Sequence, residues 1–307
     1  MPKVLVATVK PFAPMAVSEI KNVLDLAGYE MELLEKYAGQ DDLIQAVKDA
    51  DAVIIRSDII DEAIISAMEK TKIIVRAGAG YDNVDLAAAS AKNIVVMNTP
   101  GQNSNAVAEL VVGMMVFLAR NQYNGTSGTE LRNKTLGLHA YGNVGKYVAQ
   151  IARGFGMELF AYDPFIDQKL IEDDGIMAVD SLEELYSKCQ YVSLHIPANE
   201  QTKQSINYSL LSLMPKNATL VNAARKEVIH EDDLMKIFAA RDDFKYISDI
   251  APDCKEEIVN KYPGRFFFTP KKMGAQTAEA NINAGIAAAK QIVNYLEKGD
   301  NTYQVNK

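Results

Sequence analysis

Short apolar, β-prone runs alternate with longer helical stretches along the whole chain, and no other feature limits the fold so tightly. Strands are expected at Lys3–Ala7, Met31–Leu34, Ala52–Ile55, Ile73–Val75 and Ile94–Met97, with helices such as Met15–Ala27 and Asp41–Asp49 between them. A second series starts after Thr135: Leu136–His139, Glu158–Tyr162, Tyr191–His195, Thr219–Asn222, Lys245–Ser248 and Arg265–Thr269. Helices such as Val144–Phe155 and Asp232–Ala240 separate these, and Thr277–Lys298 closes the chain as an Ala-rich helix. Strands joined through helices pair in parallel, so the pattern reads as an α/β fold with doubly wound parallel sheets. Two series in 307 residues fit two domains.

Between the series lies Ser104–Arg120, apolar nearly all round from Leu110 to Ala119. A helix of that kind must be buried on several sides, by its own chain or by a second copy. Its apolar run is about half of the ~20 residues needed to span a bilayer. The opening residues, Met1-Pro2-Lys3-Val4-Leu5-Val6, carry no signal-peptide pattern. Two cysteines, Cys189 and Cys254, exclude a disulfide scaffold and show no metal-type spacing, so no metal site is expected. These features suit a soluble, cytoplasmic protein. With 32 Lys and Arg against 40 Asp and Glu, the net charge of −8 argues against nucleic acid and against membrane as partners. A small anionic substrate in a local basic pocket stays open.

Ala140-Tyr141-Gly142-Asn143-Val144-Gly145 follows the strand Leu136–His139 directly. This is a GxGxxG pattern with alanine for its first glycine, which implies a slightly displaced turn. Gly142 would let backbone approach a pyrophosphate, and Gly145 would let helix pack closely on strand. A helix starting near Asn143 would aim free N–H groups and its positive dipole end at the phosphates. Asp163 ends the next strand, at the spacing from which a carboxylate holds the ribose hydroxyls and repels a 2′-phosphate. The expected cofactor is therefore NAD.

Three further strings are more specific: Val75-Arg76-Ala77-Gly78-Ala79-Gly80-Tyr81-Asp82-Asn83-Val84-Asp85, Asn98-Thr99-Pro100-Gly101-Gln102-Asn103-Ser104-Asn105-Ala106-Val107-Ala108-Glu109-Leu110, and Val221-Asn222-Ala223-Ala224-Arg225. With the glycine motif, they make the chain resemble the D-2-hydroxyacid dehydrogenases, most closely the phosphoglycerate dehydrogenase branch. The resemblance implies two Rossmann-like or flavodoxin-like domains: a substrate domain of residues 1–98 plus 280–307, and an NAD-binding domain of residues 99–279 inserted in it. It also implies a homodimer through Ser104–Arg120. Asn121–Arg132 is short beside typical members, and the regulatory module of longer relatives is not expected here.

Position by position, the resemblance makes Arg225 the catalytic arginine, whose planar fork holds substrate carboxylate and reacting oxygen. It assigns Arg56, Ser57, Gly78, Ala79, Asn103 and Ser104 to the substrate. It assigns Tyr141, Gly142, Asn143, Val144, Gly145, Asp163, His195, Ile196, Pro197, Ala223, Ala224, Asp249 and Gly274 to the cofactor.

The acid–base pair departs from the family. A histidine after Thr-Pro, backed by a glutamate, is the family arrangement; here the string is Thr269-Pro270-Lys271-Lys272-Met273-Gly274-Ala275. Counting forward from Thr269-Pro270 puts Lys271 at the histidine position, and counting back from Gly274-Ala275 puts Lys272 there. One residue is inserted. Cys254 occupies the glutamate position, with Asp253 and Glu256 nearby, and none of His139, His195 and His230 can substitute by motif. In one reading the site is inert and the protein binds NAD as an interaction protein. In the other, one lysine replaces the pair, its pKa pulled toward neutrality by burial near Arg225. The active reading implies oxidation of 3-phospho-D-glycerate to 3-phosphohydroxypyruvate, the entry to serine. A hydroxypyruvate or glyoxylate reductase is the alternative chemistry.

Overall fold

Alternate side chains of β1 (Lys3–Thr8) enter two separate cores: Val4 and Val6 one, Leu5 and Ala7 the other. A strand buried on both faces belongs inside a helix-covered parallel sheet. There follow α1 (Pro14–Leu26), β2 (Glu30–Glu35), α2 (Gln40–Val47), β3 (Ala52–Ile55), α3 (Glu62–Ala67), β4 (Ile73–Arg76), α4 (Leu86–Ala91) and β5 (Val95–Asn98). These five strands are parallel in the order β2-β1-β3-β4-β5. The computed structural model describes residues 1–307.

The chain then builds a second sheet. Its elements are α5 (Ser104–Ala119), β6 (Thr135–His139), α6 (Asn143–Gly154), β7 (Glu158–Tyr162), α7 (Gln168–Asp173), β8 (Met177–Ala178), α8 (Leu182–Lys188), β9 (Tyr191–Leu194), α9 (Tyr208–Leu213), β10 (Thr219–Asn222), α10 (Glu231–Ala240), β11 (Lys245–Ser248), α11 (Lys255–Lys261) and β12 (Phe266–Phe268). All seven strands are parallel in the order β12-β11-β10-β9-β6-β7-β8. Finally α12 (Ala278–Lys298) returns to the first unit. It packs on α1: a side chain at Gly285 would come within 2.8 Å of Ile20.

The outer unit holds Met1–Asn103 and Gln276–Lys307, and the inner unit Ser104–Ala275. The breaks fall a few residues from the expected 98/99 and 279/280, for local reasons. Thr99 N–H donates to Gly78 O (2.9 Å), which keeps the turn after β5 with the first sheet. The Thr277 side chain caps α12 by accepting from Ala280 N–H (3.1 Å), so the residues before the helix travel with it.

Within the inner unit, Val111, Met114, Met115 and Leu118 of α5 join the core formed by Leu136, Leu138 and Val148. Most of that apolar helix is thus covered by its own chain, leaving Asn105, Glu109 and Gly113 as an exposed stripe. The two-residue β8 escapes sequence reading because it is too short to show alternation. At the other end, Val305 N–H donates to Val96 O (2.9 Å) and Val96 N–H to Asn306 Oδ1 (2.9 Å), so the last residues cover the edge of β5. No helix is long and apolar enough to cross a membrane.

Candidate active site

In the inner unit the glycine motif turns from β6 into α6. Ala140 takes φ +80°, the left-handed conformation that a glycine would accept without strain. A side chain at Gly142 would meet nothing within 4 Å, whereas one at Gly145 would lie 2.6 Å from Ala140 O and 3.6 Å from the His195 ring. The two glycines therefore differ: one leaves open space and the other lets the helix touch the strand end. No side chain caps α6, so its first-turn N–H groups at Asn143, Val144 and Gly145 lack partners within the helix. Asp163 braces the turn, accepting from Tyr141 N–H (2.9 Å) and Phe165 N–H (2.9 Å). The Tyr141 side chain is buried, its hydroxyl donating to Asp174 (2.9 Å).

Next to this turn, His139 is buried with Nδ1 3.2 Å from the Tyr186 hydroxyl, and His195 Nε2 is buried without a hydrogen-bond partner. Burial pushes the His139 imidazole down to about 4, against the opposing pull of Asp163. Burial, with His139 close by, pushes His195 down to about 3. Both rings are neutral at physiological pH. His195 is followed by buried Ile196 and exposed Pro197.

After β10, Asn222 shapes the next loop. Its amide donates to Arg225 O (2.9 Å) and its carbonyl accepts from Ala224 N–H (3.0 Å), which bends Ala223 and Ala224 round to present Arg225. The Arg225 guanidinium is half-buried, donates to Ala224 O (3.0 Å) and makes no ion pair with a carboxylate. Such a fork is suited to an incoming carboxylate.

Asp249, at the end of β11, is 1% exposed. It accepts from Met273 N–H (2.7 Å), Gly274 N–H (2.8 Å) and lies 3.0 Å from the Thr269 hydroxyl. Lys271 and Lys272 sit on the arch between these contacts, and both are exposed. The arch turns its Met273 and Gly274 amides inward to Asp249. At the family's glutamate position, Cys254 N–H donates to Glu231 (2.8 Å), and burial beside Glu231 pushes the Cys254 thiol up to about 12. It carries no charge to lend to a base.

In the outer unit, Arg56 follows β3 and is more committed than its resemblance implies. Its guanidinium donates to Lys10 O (3.0 Å), Pro11 O (2.9 Å) and Asn281 Oδ1, and lies 4.9 Å over the Phe12 ring. Ser57 is exposed. Gly78 is buried with φ +151°, and a side chain there would collide with the Arg76 guanidinium. Ala79 is exposed, its carbonyl held by Asn98 Nδ2 (2.6 Å). Arg76, within the Val75–Asp85 string, carries no motif signal of its own but joins this group. Its Nε donates to Arg56 O (2.9 Å), which brings two guanidinium-bearing residues to the ends of β3 and β4. Asn103 ends the outer unit and Ser104, 2% exposed, begins the inner one. No cluster of His, Cys, Asp or Glu is arranged to hold a metal ion.

The sheet orders, the glycine turn and the arginine loop define a two-unit nucleotide-binding α/β protein. The sequence model of one family, D-isomer specific 2-hydroxyacid dehydrogenase, catalytic domain, matches residues 4–306, and the chain belongs to that family. Among solved structures it is similar to the NAD+-bound 3-phosphoglycerate dehydrogenase of Entamoeba histolytica, with 50% identity, a TM-score of 0.88, and 100% of this chain and 99% of that chain covered. It is 35% identical over 275 residues to the D-3-phosphoglycerate dehydrogenase of Methanocaldococcus jannaschii, covering 84% of this chain but 52% of the relative. The chain thus spans about half the length of that relative. It is also 33% identical to the hydroxypyruvate reductase of Thermotoga maritima, covering 87% of this chain and 92% of the relative.

Proposed function

We propose that the chain is an NAD-dependent D-3-phosphoglycerate dehydrogenase, oxidising 3-phospho-D-glycerate to 3-phosphohydroxypyruvate. The observation that carries this is the 50% identity, over its whole length, to a protein of that activity solved with NAD+. The inner unit suits NAD: Gly142 leaves open space at the uncapped start of α6, and Asp163 retains acceptor capacity beside it. Ile196, Pro197, Ala223 and Ala224 would line the same cofactor. When bound, NAD supplies the acceptor for the hydride leaving the carbinol carbon.

The chain's own residues supply the rest. Arg225 binds the substrate carboxylate and the reacting oxygen through its fork. The Gly78 and Ala79 backbone offers donors to the carboxylate, and the Arg76 cation serves the phosphate, with Arg56, its guanidinium held by Lys10, Pro11 and Asn281, adding positive charge nearby. Lys271 or Lys272 takes the hydroxyl proton during oxidation and returns it in the reverse direction. A lysine must begin oxidation as the free amine, so oxidation should accelerate as pH rises and reduction should slow. We place the reaction in serine formation in the cytoplasm, and the protein in a homodimer through α5, whose exposed stripe includes Gly113 and so permits close approach.

A spectrophotometric NADH assay with phosphohydroxypyruvate, hydroxypyruvate and glyoxylate tests the reading. Preference for the phosphorylated keto acid is expected. Preference for hydroxypyruvate would favour the second reading, which the likeness to the Thermotoga protein supports. Binding of NADH without turnover of any keto acid would leave an interaction protein. Lys271→Met and Lys272→Met, made singly, should differ sharply: one inactive, the other active. Activity surviving both would refute a lysine acid.

A further inference from the structure

We infer that Asn98, the last residue of β5, is a positioning residue for the loop Gly78–Gly80; the inference rests on the reading that this loop holds the substrate carboxylate. A loop that binds an anion through its backbone must turn N–H groups toward the ligand and find partners for its carbonyls elsewhere. Here two successive carbonyls are tied to the end of β5. Gly78 O accepts from Thr99 N–H at 2.9 Å, and Ala79 O accepts from the Asn98 side-chain amide at 2.6 Å. Every peptide bond is trans, so C=O and N–H of one peptide point in opposite directions. The N–H groups of Ala79 and Gly80 therefore face away from β5, and no group of the chain accepts from either.

The frame around the loop is stiff. Asn98 stands in register with Arg76, the residue at which the chain leaves β4 for the loop. Thr99 is 1% exposed and precedes Pro100, which restricts it to extended backbone. Gly78 takes φ +151°, and a side chain there would collide with the Arg76 guanidinium, so glycine alone lets the loop pass so close. The Thr99 contact is main chain to main chain and is open to almost any residue. The Asn98 contact depends on a side-chain donor. It sets the peptide between Ala79 and Gly80, and through that peptide the direction of the Gly80 N–H.

The test uses the full chain with NADH bound and oxalate as the carboxylate probe. Asn98→Leu keeps the size, adds no charge and removes the donor. It should weaken oxalate binding about tenfold, read through NADH fluorescence, while NADH affinity stays within about twofold. A carboxylate contact made alike in ground and transition states should, when weakened, raise KM for the keto acid about tenfold and leave kcat within about threefold. A role in stability alone would lower the denaturation midpoint without moving oxalate affinity or KM, which would overturn the proposal. A fall in kcat in place of the rise in KM would overturn it too. Should N98L fail to fold, Asn98→Ala decides by the same readings. A wild-type chain that binds NADH but no oxalate would sink the carboxylate-loop reading, and the proposal with it. Oxalate held equally by wild type and variant would leave that reading intact and remove only Asn98.

Discussion

Ala140 shows how much a single residue type can change without losing a turn. Left-handed φ costs an L-residue roughly 1–2 kcal/mol, partly offset by the unfolded-state entropy that a glycine would add. Ala140→Gly should therefore raise stability by up to about 1 kcal/mol, read as a higher denaturation midpoint; a lower midpoint would show that φ +80° is unstrained. The histidines make a second prediction. His139 and His195 are held near 4 and 3 by burial, below the ~6.5 of an unfolded imidazole. The unfolded chain binds more protons in that interval, so their contribution to stability is complete above about pH 6.5 and is lost as pH falls toward 4. Unfolding measured across this range should take up close to two protons, and His139→Gln should reduce the slope. Sequence reading found these residues by motif, including the departure at Lys271 and Lys272. It could not find their surroundings. That Arg56 is bound to Lys10, Pro11 and Asn281, or that the lysines face outward, depends on contacts between residues distant in sequence.

At the scale of elements, the strands were readable because each is a short apolar run between helices, and most observed ends fall within a residue or two of expectation. The shortest pieces were not. β8 and the six-residue helices α3, α4, α7 and α9 lack enough turns or alternations to show a period. Caps supply what period cannot: Asp61, Asp85, Ser181 and Asn207 accept from the first turns of α3, α4, α8 and α9. The N-terminus of α6 has no such cap, and neither do those of α1, α2 and α11; at α6 the bare end lies beside the open space at Gly142. Gly145→Ala tests the junction of α6 with β6. Alanine favours a helix by nearly 1 kcal/mol over glycine, yet its Cβ would lie 2.6 Å from Ala140 O. The overlap should win, lowering stability by about 1–3 kcal/mol and weakening NADH binding together, since the first turn must move. Thermal unfolding and NADH titration read the two effects separately; a stability gain would mean that the contact relaxes freely.

For the whole molecule, the division of cores predicts unequal independence. Both cores of the inner unit are built from residues inside Ser104–Ala275. That segment expressed alone should unfold cooperatively and bind NADH, yet turn nothing over, because Arg56, Arg76 and Gly78 are absent; a molten segment without cooperative unfolding would contradict this. The division into two units follows from the two strand series, but the exact breaks do not, since they depend on the Thr99 and Thr277 hydrogen bonds. Residues 1–103 stand differently. Their core beneath Val4, Val6 and Ile54 is completed by Ala284, Ala288, Ala289 and Ile292 of α12. During synthesis at about 5–20 residues per second, the first sheet must wait on the order of ten seconds or more for that helix, while the inner unit emerges and folds. A nascent chain halted before α12 would thus leave the aliphatic face that α1 covers only in part open to the ribosome's surroundings, a surface that chaperones bind.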